Sequence, residues 1–160
     1  MKTRSSGSRR ASAQARPRIV SSELVQSRLD EIRDAVARRA YDLFERRGRQ
    51  DGHHEEDWWQ AEADLLFPLA VSVADAGPCL AIEAAVPGFD ACDVEVCVEP
   101  RRVTITGQCR AGDAADRKWM YRAVELPDEV ATCDAVAAIE GGVVAVTLRK
   151  VAASDVRSVD

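Results

Sequence analysis

The chain has 160 residues, a formal net charge of −5, and 46% hydrophobic against 31% charged residues, which suits one ordinary domain with an appendage and excludes disorder throughout. No run of about 18 apolar residues occurs, which argues against a membrane span. The acidic balance argues against a nucleic-acid partner, and with only 5% aromatic residues the core is expected to be mostly aliphatic.

Residues 1–20 are rich in Ser, Arg and Ala and aperiodic, which predicts a disordered basic tail. Residues 1–18 hold Lys2, Arg4, Arg9, Arg10, Arg16 and Arg18 and no acid. Of the 22 Lys and Arg this leaves 16 against 27 acids, so the remaining body carries −11. The tail has neither the apolar segment of a secretory signal nor interleaved aromatics for base stacking, and it reads as a solubilising arm.

From Ser22 the pattern is helical. Val25, Leu29, Ile32, Val36, Ala40 and Leu43 recur every three or four residues and form one apolar stripe. Ser21 or Ser22 is placed to cap the start, and Gly48 stands where a left-handed C-terminal cap is wanted. Arg33, Asp34, Arg38, Asp42 and Arg46 make the opposite, solvated face. A second, shorter helix is predicted from about Glu55 to Leu66, with Glu55, Glu56 and Asp57 in its first turn, where acids complement the helix dipole. Pro68 stops it. The two helices make a helical hairpin over residues 21–67. Of its adjacent rings, Trp58 and Trp59, one is expected to pack within the hairpin and the other against the remaining domain or a partner. His53 and His54 beside three acids do not make a metal site, because neighbouring side chains diverge on a helix and the helix start accounts for the acids.

After Pro68 the period drops to two. Leu80, Ile82, Ala84 and Val86 alternate, as do Val94, Val96 and Val98, then Val103 and Ile105, then Met120, Val124 and Leu126 with Arg122 in phase, then Val144, Val146 and Leu148. Turn signals separate the runs, and no helical crossovers intervene. The pattern predicts an immunoglobulin-like antiparallel β-sandwich over residues 69–150, with a short tail at 151–160, so the fold class is mainly β with an N-terminal α part.

The chemistry of catalysis is not legible here. Cys79, Cys92, Cys97, Cys109 and Cys133 are odd in number and form no CxxC pair, which fits a reducing, cytoplasmic setting. The only histidines lie in the helical part, far in sequence from every cysteine, so the cysteines read as small buried hydrophobes and not as nucleophiles. There is no phosphate-cradling glycine motif and no cofactor signature. No enzyme activity, cofactor or metal is expected.

The β region resembles the small heat-shock protein (α-crystallin) family. The resemblance rests on Ala84-Ala85-Val86-Pro87-Gly88-Phe89, on Asp93-Val94-Glu95-Val96-Cys97-Val98, on Val103-Thr104-Ile105-Thr106-Gly107, on Arg122-Ala123-Val124-Glu125-Leu126-Pro127, and on Ala137-Ala138-Ile139-Glu140-Gly141-Gly142-Val143-Val144. In that family Pro87, Gly88, Leu126, Pro127 and Gly142 would be structural. The resemblance implies a binder of unfolding client proteins that uses no nucleotide. It also implies an edge groove floored by Val94, Val96, Val98, Val136 and Ala138, and a dimer-interface role for Arg122, held by a carboxylate such as Glu99, Asp113 or Asp116. Trp58 and Trp59 are further interface candidates. Three features depart from the family pattern: the tail from Val151 lacks an Ile-x-Ile motif, residues 108–118 are short for a strand-swapping loop, and Met120 and Val144 stand where the family has an aromatic and a Leu. A homodimer or small homo-oligomer is therefore expected. The helical part, through Ile32-Arg33, Arg39-Ala40-Tyr41, Arg47-Gly48, Asp51-Gly52-His53 and Asp57-Trp58-Trp59-Gln60-Ala61-Glu62, resembles a short bacterial domain of unknown function. The alternative to a holdase is a regulatory or scaffold module with one specific partner.

Overall fold

A computed structural model of the chain describes residues 16–109 and 118–151. Its order is β1 (Arg18–Ile19), α1 (Ser22–Arg46), α2 (His54–Leu65), β2 (Val71–Ala76), β3 (Cys79–Ala85), β4 (Val94–Glu99), β5 (Arg102–Gln108), β6 (Trp119–Glu125), β7 (Val136–Glu140) and β8 (Val143–Arg149).

The hairpin follows its sequence pattern closely. The Ser21 hydroxyl accepts the Leu24 N–H at 3.3 Å and so satisfies an orphan donor of the first turn. At the other end Gly48 takes φ +78°, a left-handed turn that releases the chain toward α2. Val25, Ile32 and Val36 are buried, and Arg33, Asp34, Arg38, Asp42 and Arg46 are exposed. Ala61 is fully buried and lets α2 approach α1 closely. Two ion pairs staple the helices: Arg39 to Asp64 at 2.9 Å, and Arg47 to the buried Asp57 at 2.6 Å.

Two four-stranded sheets face each other, in the orders β1-β4-β5-β6 and β2-β3-β8-β7. Among the described strands every pairing is antiparallel except β1 with β4, and Leu66 adds an isolated parallel bridge to Trp119 of β6. Leu80, Ile82, Val94, Val96, Val103, Ile105, Met120, Val144 and Leu148 fill the space between the sheets, each at most 1% exposed. This is the inward-facing alternation of a sandwich. The hairpin covers the outer face of the first sheet, where Trp119 and Tyr121 of β6 join Ile32, Val36 and Ala61. The molecule therefore has three layers, helices on sheet on sheet.

The motif residues hold turns. Gly88 follows Pro87 at φ +83°, and the Leu126 N–H donates to the Arg101 carbonyl at 2.8 Å. The Gly142 carbonyl accepts the Val86 N–H at 2.7 Å, joining the two ends of the family pattern. The linker after α2 is pinned to the sandwich by Phe67, whose ring meets Phe89 edge-on at 5.6 Å.

Two expectations are corrected, and one strand that the alternation left unnamed is added. Residues 18–20 are not part of an aperiodic tail, because Arg18 and Ile19 form a strand. Helix α2 begins at His54, one residue early. β2, whose Val71-Ser-Val-Ala-Asp-Ala run alternates only weakly, forms because β3 offers it a paired edge over six residues. Residues 1–15, the loop at 110–117 and the tail at 152–160 lie outside the described residues, and with them most of the expectations on the basic arm, the loop and the tail.

Candidate functional site

A strand at the end of a sheet presents a row of unpaired N–H and C=O groups, and these are the natural docking points of a sandwich. The first sheet closes one of its own edges. β1 lies parallel to β4, with Arg18 opposite Glu95 and Ile19 opposite Val96, and the Val20 N–H donates to the Val96 carbonyl at 2.9 Å.

A charge cluster holds this closure. Glu95 points to the helix side of β4, and its side chain is only 8% exposed. Arg28 of α1 grips it with two prongs, Nε to Oε2 at 2.9 Å and Nη2 to Oε1 at 3.0 Å, and Arg18 stands 3.7 Å away. A planar guanidinium suits such a fork. The Glu95 hydrogen bond pushes the Arg28 pKa upward against the opposing effect of burial. The same clasp fixes the hairpin on the sheet and the N-terminal strand on β4.

The groove residues do not come together as one surface. Val94 and Val96 are fully enclosed in the sandwich core, and Val98 packs against that core. They are core because they point from β4 toward the second sheet, while Glu95 between them faces α1. Val136 and Ala138 belong to the other sheet, on β7, whose outer edge is unpaired among the described residues. Val136 is 54% exposed and Ala138 half-buried.

Arg122 lies on the inward-facing side of β6 opposite Ile105, yet it is exposed and has no ion pair among the described residues. The expected carboxylate partner is not found at Glu99, and Asp113 and Asp116 lie outside the described residues. β6 is the end strand of its sheet, so an inward position there opens to solvent, and the desolvation cost that would demand a partner does not arise. The two tryptophans divide. Trp58 packs into the helical cluster and donates its indole N–H to Glu62 at 2.9 Å, whereas Trp59 is 63% exposed.

The cysteines correct another expectation. Cys97 is buried, and desolvation, with a smaller effect from Glu99, pushes its thiol pKa up. Cys79 and Cys109 are half-buried, but Cys92 and Cys133 are exposed, because each sits in a single 3-10 turn and not on a strand. Cys92 lies with Asp90 and Asp93 in a small group of potential ligand atoms, but both carboxylates serve the capping box of that turn. His53 is engaged with Glu56 at 3.0 Å, and His54 stacks on Phe44 with ring centres 6.3 Å apart.

The model of the Hsp20/alpha crystallin family matches residues 77–160, more than half of the chain, and the chain belongs to that family. Residues 31–66 match a family described as a protein of unknown function, DUF2934. Similar solved structures include a small heat-shock protein from Xylella fastidiosa, 20% identical, with a TM-score of 0.49, covering 60% of this chain and 97% of its own. Heat shock protein 16.0 from Schizosaccharomyces pombe is 18% identical with a TM-score of 0.47, covering 53% and 88%. HSP18.5 from E. histolytica is 21% identical with a TM-score of 0.46, covering 57% and 93%. No curated protein matches.

Proposed function

We propose that this chain is an ATP-independent holdase that binds apolar segments of unfolding proteins in the cytoplasm, acting as a homodimer or small homo-oligomer and not as an enzyme. Membership of the Hsp20/alpha crystallin family supports a chaperone-type role. The observation that carries the site is the open outer edge of β7, with Val136 exposed on it. Main-chain pairing along such an edge is indifferent to sequence, which suits a binder of many clients. Each large apolar client side chain buried beside it contributes about 1.5–3 kcal/mol.

The test is heat-induced aggregation of a model client with the purified protein and no nucleotide. Suppression is expected at a near-stoichiometric ratio, and Val136→Lys, which places a charge on the edge, is expected to weaken it. Unchanged client scattering over a wide range of ratios sinks the reading.

One observation favours a second reading, a docking module with a single partner: β4, the other candidate edge, is already closed by residues 18–20. A pull-down that returns one abundant partner, together with no aggregation suppression, would decide for it.

A further inference from the structure

We propose that the crevice between the helical hairpin and the β6 end of the sandwich binds a small amphipathic carboxylate, of the class of a medium-chain fatty acid. This goes beyond the client-binding reading and does not depend on it. The crevice has a volume of about 560 Å³ and is lined by α1, α2, the linker after α2 and β6. That volume lies in the usual range for sites that enclose a small ligand, roughly 300–1,000 Å³.

Its chemistry is two-sided. Leu29, Trp59, Leu66 and Phe67 give it an apolar lining. Trp59 leaves 63% of its surface exposed there, an unusual position for the largest apolar side chain. Two guanidinium groups, Arg33 and Arg122, also line the crevice, and neither has an ion pair among the described residues. The one acid in the lining among the described residues, Glu62, accepts the Trp58 indole N–H at 2.9 Å. The crevice is thus locally positive on a chain whose net charge is −5. An apolar tail matches the lining, and a single carboxylate matches the planar donors of arginine. A cation is disfavoured by the two arginines, and a multiply charged, strongly hydrated anion is disfavoured by the apolar walls.

The experiment uses the full chain, titrated with dodecanoate below its micelle concentration and, in parallel, with dodecanol and dodecyltrimethylammonium. Tryptophan emission is expected to shift saturably to the blue with dodecanoate, with the two other probes binding at least about tenfold more weakly, the worth of one charge-assisted hydrogen bond. Trp59→Phe is expected to remove most of the shift while calorimetry still records binding. Arg33→Ala with Arg122→Ala, both at exposed positions and so compatible with the fold, is expected to erase the preference for the carboxylate with an unchanged far-ultraviolet circular dichroism spectrum. Equal binding of dodecanol and dodecanoate, or a preference that survives the double substitution, overturns the proposal. So does binding of an acidic, aliphatic decapeptide where dodecanoate fails, which would make the crevice a protein-docking site. Loss of aggregation suppression leaves this result untouched, so the two readings fail separately.

Discussion

Gly107 shows how a single residue sets the approach of neighbouring strands. A Cβ built there would stand 2.5 Å from the Asp93 carbonyl oxygen and 2.7 Å from the Met120 methyl. The methyl can rotate away, but the carbonyl belongs to the backbone at the start of β4 and cannot. Gly107→Ala is expected to destabilise the fold by about 1–3 kcal/mol, read as a lower denaturation midpoint with an unchanged slope. Charged residues predict a pH response. The Lys150 hydrogen bond, then the Gly77 N–H, hold the Asp75 pKa below the ordinary aspartate value of 3.8. The Gln60 side chain, then Arg39, do the same for Asp64. Because the folded values are depressed, the stability these groups contribute is complete above the unfolded value and is lost as pH falls through the folded one. Thermal melts from pH 5 to pH 2 are expected to show a falling midpoint, with a shallower slope in the Asp64→Asn, Asp75→Asn double variant. An unchanged slope would mean that other carboxylates control acid unfolding.

At the scale of elements, the decisive contact is the clasp between α1 and β4. Removing Arg28 leaves Glu95 buried beside β1 with only the solvent-exposed Arg18, 3.7 Å away, for compensation. An unpaired buried carboxylate is costlier than the pair is beneficial. Arg28→Ala is expected to cost about 3 kcal/mol. Glu95→Gln, which keeps shape and an acceptor oxygen, is expected to cost less. Hydrogen exchange gives the finer test. In Arg28→Ala the amides of α1 and the Val20 N–H are expected to exchange faster, with β3 and β8 unchanged, because the clasp holds the hairpin and β1 but not the second sheet. Uniform acceleration across both sheets would show that the hairpin and sandwich open as one unit.

At the scale of the whole molecule, the question is how many copies associate. The described part leaves the outer edges of β2 and β7 unpaired, while β4 is closed from within and the Phe67 N–H donates to the Trp119 carbonyl at one end of β6. We expect a dimer or small oligomer by light scattering at room temperature. A stable assembly of a dozen or more subunits would show that the closed β4 edge does not restrain assembly, and a strict monomer at all concentrations would favour the docking module.

Much of this was legible in the residues alone. The 3.6-residue stripe from Val25 to Leu43 and the two-residue alternation of five strands are local patterns that water imposes on any half-buried element, and they placed the hairpin and most of the sandwich. The turn residues from Pro87 to Gly142 carried the family. Tertiary structure alone decided what each inward position faces. Val94 and Val96 became core because the second sheet covers the face of β4 from which they point, and Arg122 stayed solvated because β6 ends its sheet. The strand at Arg18–Ile19 was invisible in a basic, aperiodic stretch, because two residues have no period and gain their structure only from the β4 edge they meet. The partner of Glu95 lies 67 residues away on α1, a distance that no local pattern spans and only packing closes.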